Sequence, residues 1–404
     1  MMLLLGMATP AFAKGAPIIG TEAEPAQAAA TKMLVMPIGT TTPTATFTFD
    51  FAKKSMDEST APAALAEMPA ITSKSVSFTA ADVGTTVGGI KSVPKETASI
   101  FVGVTWPHAG LYEYTVTERT DTFTSTSQNS MTFTDAVYDL KVYVDNGTNG
   151  LYIYAIAAVI VVTDPFNEDD NVGDKVDPTP GGDPTIDGDF SKMVFTNNFL
   201  RNNGPETVLA ISKTITGTGA DRSKYFPFSV TVTNPATVND PAKTYKAFVV
   251  QGTTTLQTIT ANAPAGNIIS GDDPRGPYIR FTTGVPLTVN LTDGQHLAFT
   301  DLPVGASFTA TDQAAVDFTP SYRLTLNAVQ GSVVAGAENS ALSTGSHYIT
   351  ESYPDRADFN NTYKTIAVTG IFVDDLPYYA IIGVALLTLA GFVLFKSRRR
   401  RLEE

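Results

Sequence analysis

The strongest constraint on this 404-residue chain is a period of two. Thr46-Phe-Thr-Phe-Asp-Phe51 alternates polar and apolar residues strictly, and Leu111-Tyr-Glu-Tyr-Thr-Val-Thr-Glu118 does so again. Successive side chains on a strand point to opposite faces, so each stretch reads as a half-buried strand. Thr, Val, Phe and Tyr recur throughout, and no long amphipathic helix appears between residues 32 and 364. Tyr138 to Val144 and Leu151 to Ile156 flank Asp145-Asn-Gly-Thr-Asn-Gly150, whose Asn-Gly pairs tolerate the positive φ of a hairpin turn. Residues 167–189 accumulate Asp, Gly and Pro and predict an exposed loop ahead of a last strand, Met193 to Phe199.

A junction from Arg201 to Glu206 precedes a second unit with the same punctuation. Its strands are expected at Leu209 to Thr216, Tyr225 to Thr233, Val285 to Leu291, Ser307 to Thr311 and Tyr322 to Leu326. Many short strands in roughly 150 residues predict two packed antiparallel sheets. The expected fold is all-β, with two tandem immunoglobulin-like β-sandwich domains at 31–200 and 207–364. Residues 14–30, rich in Ala, Pro and Glu, are expected to form a flexible N-terminal lead.

The two ends predict export and anchoring. The opening apolar run closes on Ala11-Phe12-Ala13, the small-x-small pattern of a signal peptide ending at residue 13, although no basic residue precedes Leu3. Leu376 to Phe395 is a run of 20 residues without a charge, enough for one transmembrane helix. The basic tail 396–404, with Lys396 and Arg398 to Arg401, would stay in the cytoplasm and leave the rest outside. The precursor is thus expected at the cell surface, held in the plasma membrane by 376–395.

Composition excludes as much as it suggests. A net charge of −13 is wrong for a nucleic-acid partner, whose phosphates require Lys and Arg. With no cysteine, an exported chain forgoes disulfides where they are permitted, so any covalent staple must be of another kind. His108, His296 and His347 are isolated, without a nucleophile elbow, HExxH or P-loop. A secreted hydrolase is therefore poorly supported and no enzyme is expected, beyond autocatalysis within the chain. Neither Asp169 to Asp174 nor Asp183 to Asp189 completes an EF-hand loop, and neither metal nor cofactor is expected.

Both units fit one template: a Lys in the opening strand, a carboxylate closing a mid-domain strand, and an Asn in the last strand. The first offers Lys32, Glu118 and Asn197, the second Lys213, Asp312 and Asn361. Singly, each reads equally well as a surface Lys, a loop carboxylate or a turn Asn. As an ordered set found twice they suggest acyl transfer. A Lys among aromatic side chains loses its ammonium's solvation and becomes a nucleophilic amine. A buried carboxyl, kept protonated, can polarise the Asn amide and pass protons while ammonia leaves. The product is an isopeptide bond between first and last strands.

Leu209-Ala-Ile-Ser-Lys-Thr-Ile-Thr-Gly-Thr-Gly-Ala-Asp-Arg-Ser-Lys-Tyr-Phe-Pro-Phe228, Leu302-Pro-Val-Gly305 and Ala109-Gly-Leu-Tyr-Glu-Tyr-Thr-Val-Thr-Glu118 carry a resemblance. The chain is similar to the streptococcal backbone pilins, the T-antigen family of Gram-positive fimbrial subunits with two isopeptide-linked immunoglobulin-like domains. The resemblance covers nearly the whole mature chain and implies the pairings Lys32–Asn197 and Lys213–Asn361. Asp312 stands where the family has Glu, and the choice of Asn197 and Asn361 over Asn198 and Asn360 follows the family's inward-facing parity.

The resemblance also implies a sortase as partner. Ile366-Ala-Val-Thr-Gly370, in the sorting segment 365–375, aligns with the sorting motif, placing cleavage between Thr369 and Gly370 with Val368 where the family has Pro. The acyl acceptor on a neighbouring subunit would be Lys192, or Lys175 as second choice; peptidoglycan is the other acceptor. The expected function is that of a pilus shaft subunit. A monomeric wall- or membrane-anchored adhesin or minor pilin is the alternative, and no host ligand is indicated.

Overall fold

In the computed structural model, residues 18–364 are described except 167–169, 182–189, 241 and 353, together with a helix at Leu376–Arg400. The first unit is a sandwich of two sheets. The larger carries, in order, Ile18–Ile19, Leu151–Val162, Val137–Asn146, Gly110–Glu118, Ala45–Met56 and Lys74–Phe78, with Lys175–Val176 beside Leu151–Val162. The smaller runs Thr85–Val87, Ile90–Glu96, Thr31–Pro37, Val194–Arg201, Asn129–Thr132. Alternation sets the packing: Phe47, Phe49 and Phe51 point inward from Ala45–Met56 while Thr46, Thr48 and Asp50 face outward. Each inward ring contributes about 1.5–3 kcal/mol of burial.

The second unit repeats the plan with a nine-stranded and a five-stranded sheet. Thr207–Thr216 and Asp355–Tyr363 lie side by side in the larger, and Ser307–Asp312 in the smaller. Phe226–Thr233 alternates as its sequence requires, burying Phe226, Phe228, Val230 and Val232. Each unit has its own apolar core.

In both sandwiches the first long strand and the last strand are parallel neighbours, Thr31–Pro37 with Val194–Arg201 and Thr207–Thr216 with Asp355–Tyr363. Every other strand pairing is antiparallel. The chain of each unit therefore leaves beside the strand on which it entered.

The segment expected as a flexible lead is packed from residue 18 onward. Ile18 and Ile19 pair with Ile156 and Ala155, the Glu22 carboxylate accepts from the Thr148 amide at 2.9 Å, and Ala26, Ala28, Ala29 and Ala30 are buried. Side chains this small fit against a sheet edge and a loop without a period that reveals them. Residues 1–13, 365–375 and 401–404, with Thr369 and Gly370, lie outside the described residues, as do Asp183 to Asp189.

The C-terminal helix contains Pro377–Arg399, 23 residues that include an 18-residue stretch of mean hydropathy 2.2, long and apolar enough to cross a membrane. None of that apolar span is buried against the protein.

Candidate functional site

The register of the parallel pairs brings the two triads together. Lys32 is opposite Phe195 and Leu34 opposite Asn197, so Lys32 and Asn197 share one face with one residue pair between them along the strands. In the second unit Lys213 is opposite Phe359 and Ile215 opposite Asn361, the same offset. Lys and Asn thus project from one sheet, and Glu118 or Asp312 meets them from the facing sheet. All four Lys and Asn side chains are buried, whereas Asn198 and Asn360 sit on the outward parity.

At the first site Lys32 Nζ donates to Glu118 Oε2 at 2.8 Å and to the Phe195 carbonyl at 2.9 Å. Asn197 Nδ2 donates to Glu118 Oε1 at 2.8 Å, so the carboxyl bridges the amine and the amide nitrogen. The Thr134 backbone N–H donates to Asn197 Oδ1 at 3.0 Å. Phe49, Phe195 and Tyr138 stack around the group, and the Phe47 ring lies 4.9 Å from Lys32 Nζ.

Burial decides the protonation of this pair. Desolvation pushes the Lys32 amine down to about 8, against the pull of Glu118, and pushes the Glu118 carboxyl above its usual range. Both shifts favour the uncharged pair, neutral amine beside protonated acid.

The second site has the same parts in a looser arrangement. Lys213 Nζ donates to Asp312 Oδ2 at 2.7 Å and lies 4.1 Å from the Phe226 ring centroid, while Phe228 and Phe359 pack edge to face at 5.1 Å. Burial lowers Lys213 to about 8 and raises Asp312. Asp312 Oδ1 and Asn361 Oδ1, however, are buried without a hydrogen-bond partner. The shorter Asp leaves its second oxygen unengaged, and no backbone N–H takes the place of Thr134.

The sequence pointed to the carboxyl as the group that polarises the Asn amide and passes protons while ammonia leaves. In the first unit a main-chain donor holds the amide oxygen, and the carboxyl faces the nitrogen that must leave. Such a set can run one balanced transfer. The Lys32 Nζ lone pair adds to Asn197 Cγ, the amine's proton passes through Glu118 to Nδ2, the Cγ–Nδ2 bond breaks, and ammonia departs as the amide forms. The Thr134 N–H is placed to stabilise the developing oxyanion. Asp164 is a further participant missed from sequence. Buried two residues beyond Leu151–Val162, it accepts from the Thr196 and Phe166 amides, and its charge opposes the lowering of Lys32. The Asp-Pro step that ends the apolar run was its only signal.

Residues 28–200 match the family model described as the Spy0128-like isopeptide containing domain. That match covers the first unit and less than half of the chain. Residues 207–363 match a separate model, a domain of unknown function designated DUF7601. No curated protein sequence matches. Among solved structures, the major pilin of Streptococcus pyogenes is similar at 18% identity over 85% of this chain and 99% of its own, with a TM-score of 0.30. The major pilin T3.2 of the same species gives 16%, 85%, 98% and 0.30. The pilus-presented adhesin Spy0125 gives 15% identity over 57% of this chain and 36% of its own, with a TM-score of 0.23. The Spy0128-like unit and its DUF7601 companion thus carry equivalent triads on one strand plan while matching different family models.

Lys192 and Lys175 lie apart from the triads. Lys192 is exposed just before Val194–Arg201, its backbone N–H on the Asp177 carbonyl at 2.7 Å, and Lys175 pairs with Val159 at a sheet margin.

Proposed function

We propose that this chain is a pilin, the shaft subunit of a Gram-positive surface fibre, whose two sandwiches are each closed by an autocatalytic isopeptide bond, Lys32–Asn197 and Lys213–Asn361. The observation that carries the reading is the duplication. Two units that match different family models set a buried Lys, a carboxyl bonded to its amine and a buried Asn at the same strand offset, amid three matching phenylalanines. A buried Lys–carboxylate pair is costly as a mere structural device, and its recurrence beside an Asn is what a crosslinking reaction requires. The placement of the bonds also suits a shaft, since each ties the entering strand to the leaving strand and tension along the chain meets a covalent link.

On this reading the exposed C-terminal helix holds the precursor in the membrane until a sortase cuts between Thr369 and Gly370. The Thr369 acyl group then passes to Lys192, or to Lys175, of the next subunit, or to peptidoglycan. Val368 in the Pro position favours a second reading, an uncleaved membrane-held monomer that displays the same two domains. Co-expression of the full chain with its sortase separates the two. A ladder of covalent multimers on denaturing gels, lost on Lys192→Arg or Lys175→Arg, is expected for the shaft. A single band at precursor mass, with and without sortase, would leave the anchored monomer.

A further inference from the structure

The two units meet at a seam that neither apolar core crosses. Its chemistry converges on one carboxylate. Glu351, in the loop between His347–Tyr348 and Asp355–Tyr363, accepts from the Thr41 backbone N–H at 2.7 Å through Oε1 and from Thr41 Oγ1 at 2.7 Å through Oε2. Arg201 Nη1 approaches Oε1 at 3.3 Å, and the charge of Lys91 also bears on it. Every one of these groups belongs to the first unit, more than 140 residues away in sequence.

Around the carboxylate the connecting segment is tied to the turn 301–305 of the second unit. The Val304 N–H donates to the Arg201 carbonyl at 2.8 Å, the Asp301 N–H to the Gly204 carbonyl at 3.0 Å, and Asn203 Nδ2 to the Thr350 carbonyl at 2.8 Å. Gly305, at φ +78°, lies so close to Pro37 that a Cβ would stand 2.3 Å from the proline's own Cβ. The seam is nonetheless not packed like an interior. Thr40 Oγ1, Asn198 Oδ1 and Thr237 Oγ1 are buried there without partners, half of the six such atoms among the described residues. Native interiors satisfy nearly all such atoms.

We propose that Glu351 is a latch that sets the relative orientation of the two units, and that the seam is the joint that yields first. Directional bonds hold the units in line, and among them those gathered by this one carboxylate join the second unit to the Thr41 turn and to Arg201 at once. Removing that carboxylate would leave the exposed Thr41 donors and the partly exposed Arg201 guanidinium to water alone, and the contacts by which this loop of the second unit grips the first would be gone. The latch is independent of crosslinking and of sortase. Only its consequence, a shaft that is stiff until the latch opens, rests on the fibre reading.

The absence of native cysteine allows clean labelling. Val83→Cys and Val316→Cys, exposed on the first and second units, would carry spin labels in the full chain held in detergent micelles. Dipolar spectroscopy should give one narrow distance distribution with Glu351 intact and a distribution at least twofold broader with Glu351→Ala, with Glu351→Gln between them. A second label pair within the first unit, Val83→Cys with Val102→Cys, should stay narrow in every variant and shows that the fold is kept. An equally narrow inter-unit distribution in Glu351→Ala would overturn the latch. So would an inter-unit distribution already broad with Glu351 present, whatever the gel ladder shows.

Discussion

At the scale of single residues, the two triads differ by one methylene and one backbone donor. Glu118 spans the amine and the amide nitrogen, and Thr134 N–H holds the carbonyl of Asn197. Asp312 holds the amine through one oxygen, its other oxygen has no partner, and the carbonyl of Asn361 has no donor. Loss of one preformed oxyanion donor costs about 10²–10³ in rate. In a chain isolated unreacted from urea and then allowed to fold, the first ammonia should therefore leave on the order of 10² times faster than the second, as followed by intact mass. The reactive pair carries one proton between amine and carboxyl. A second proton at acid pH charges the amine, and loss of the only proton, above the lowered titration of Lys32 near 8, leaves an ionised carboxylate with nothing to give the leaving nitrogen. The rate of the first step should be flat around neutrality and fall on both sides. A rate that climbs steadily beyond pH 9 would show that the free amine alone limits the reaction.

At the scale of elements, strand parity does the positioning. The offset of one residue pair between Lys and Asn on parallel neighbours turns both inward, and a slip of one residue would present Asn198 or Asn360 instead. The strands were legible in the sequence, because the period of two is strong in Ala45–Met56 and Gly110–Glu118, and so were the three residue types the chemistry demands, whereas the choice of Asn197 and Asn361 over their neighbours came from the resemblance. What was not legible has physical reasons. Thr134 acts through its main chain, which no side-chain pattern marks. Residues 18–30 pack through alanines that carry no period. Glu351 reaches across units through a loop. One turn also departs from the residue preferred at its conformation. Asn327 and Ala328, both at positive φ, close the two-residue hairpin between Phe318–Leu326 and Val329–Ala335. Asn tolerates that region, but alanine meets its Cβ penalty there. Ala328→Gly should raise stability by about 0.5–1 kcal/mol in thermal unfolding, and a loss of stability would place the strain elsewhere.

At the scale of the whole molecule, the proposed subunit is two sandwiches, each closed covalently where tension enters and leaves, joined by a polar seam and held before assembly by an apolar helix. Each closed loop spans roughly 150 residues, which by chain entropy is worth about 5 kcal/mol to the folded state. On the proposed reading, an acidic, cysteine-free chain would obtain in this way the cross-bracing that exported proteins otherwise draw from disulfides. The most direct test of the central claim is the intact mass of residues 14–369, made without sortase, beside its Lys32→Ala, Asn197→Ala, Lys213→Ala and Asn361→Ala variants. The account predicts a mass lower than the sequence value by two molecules of ammonia, with one regained in each variant. A mass equal to the plain sequence would contradict it.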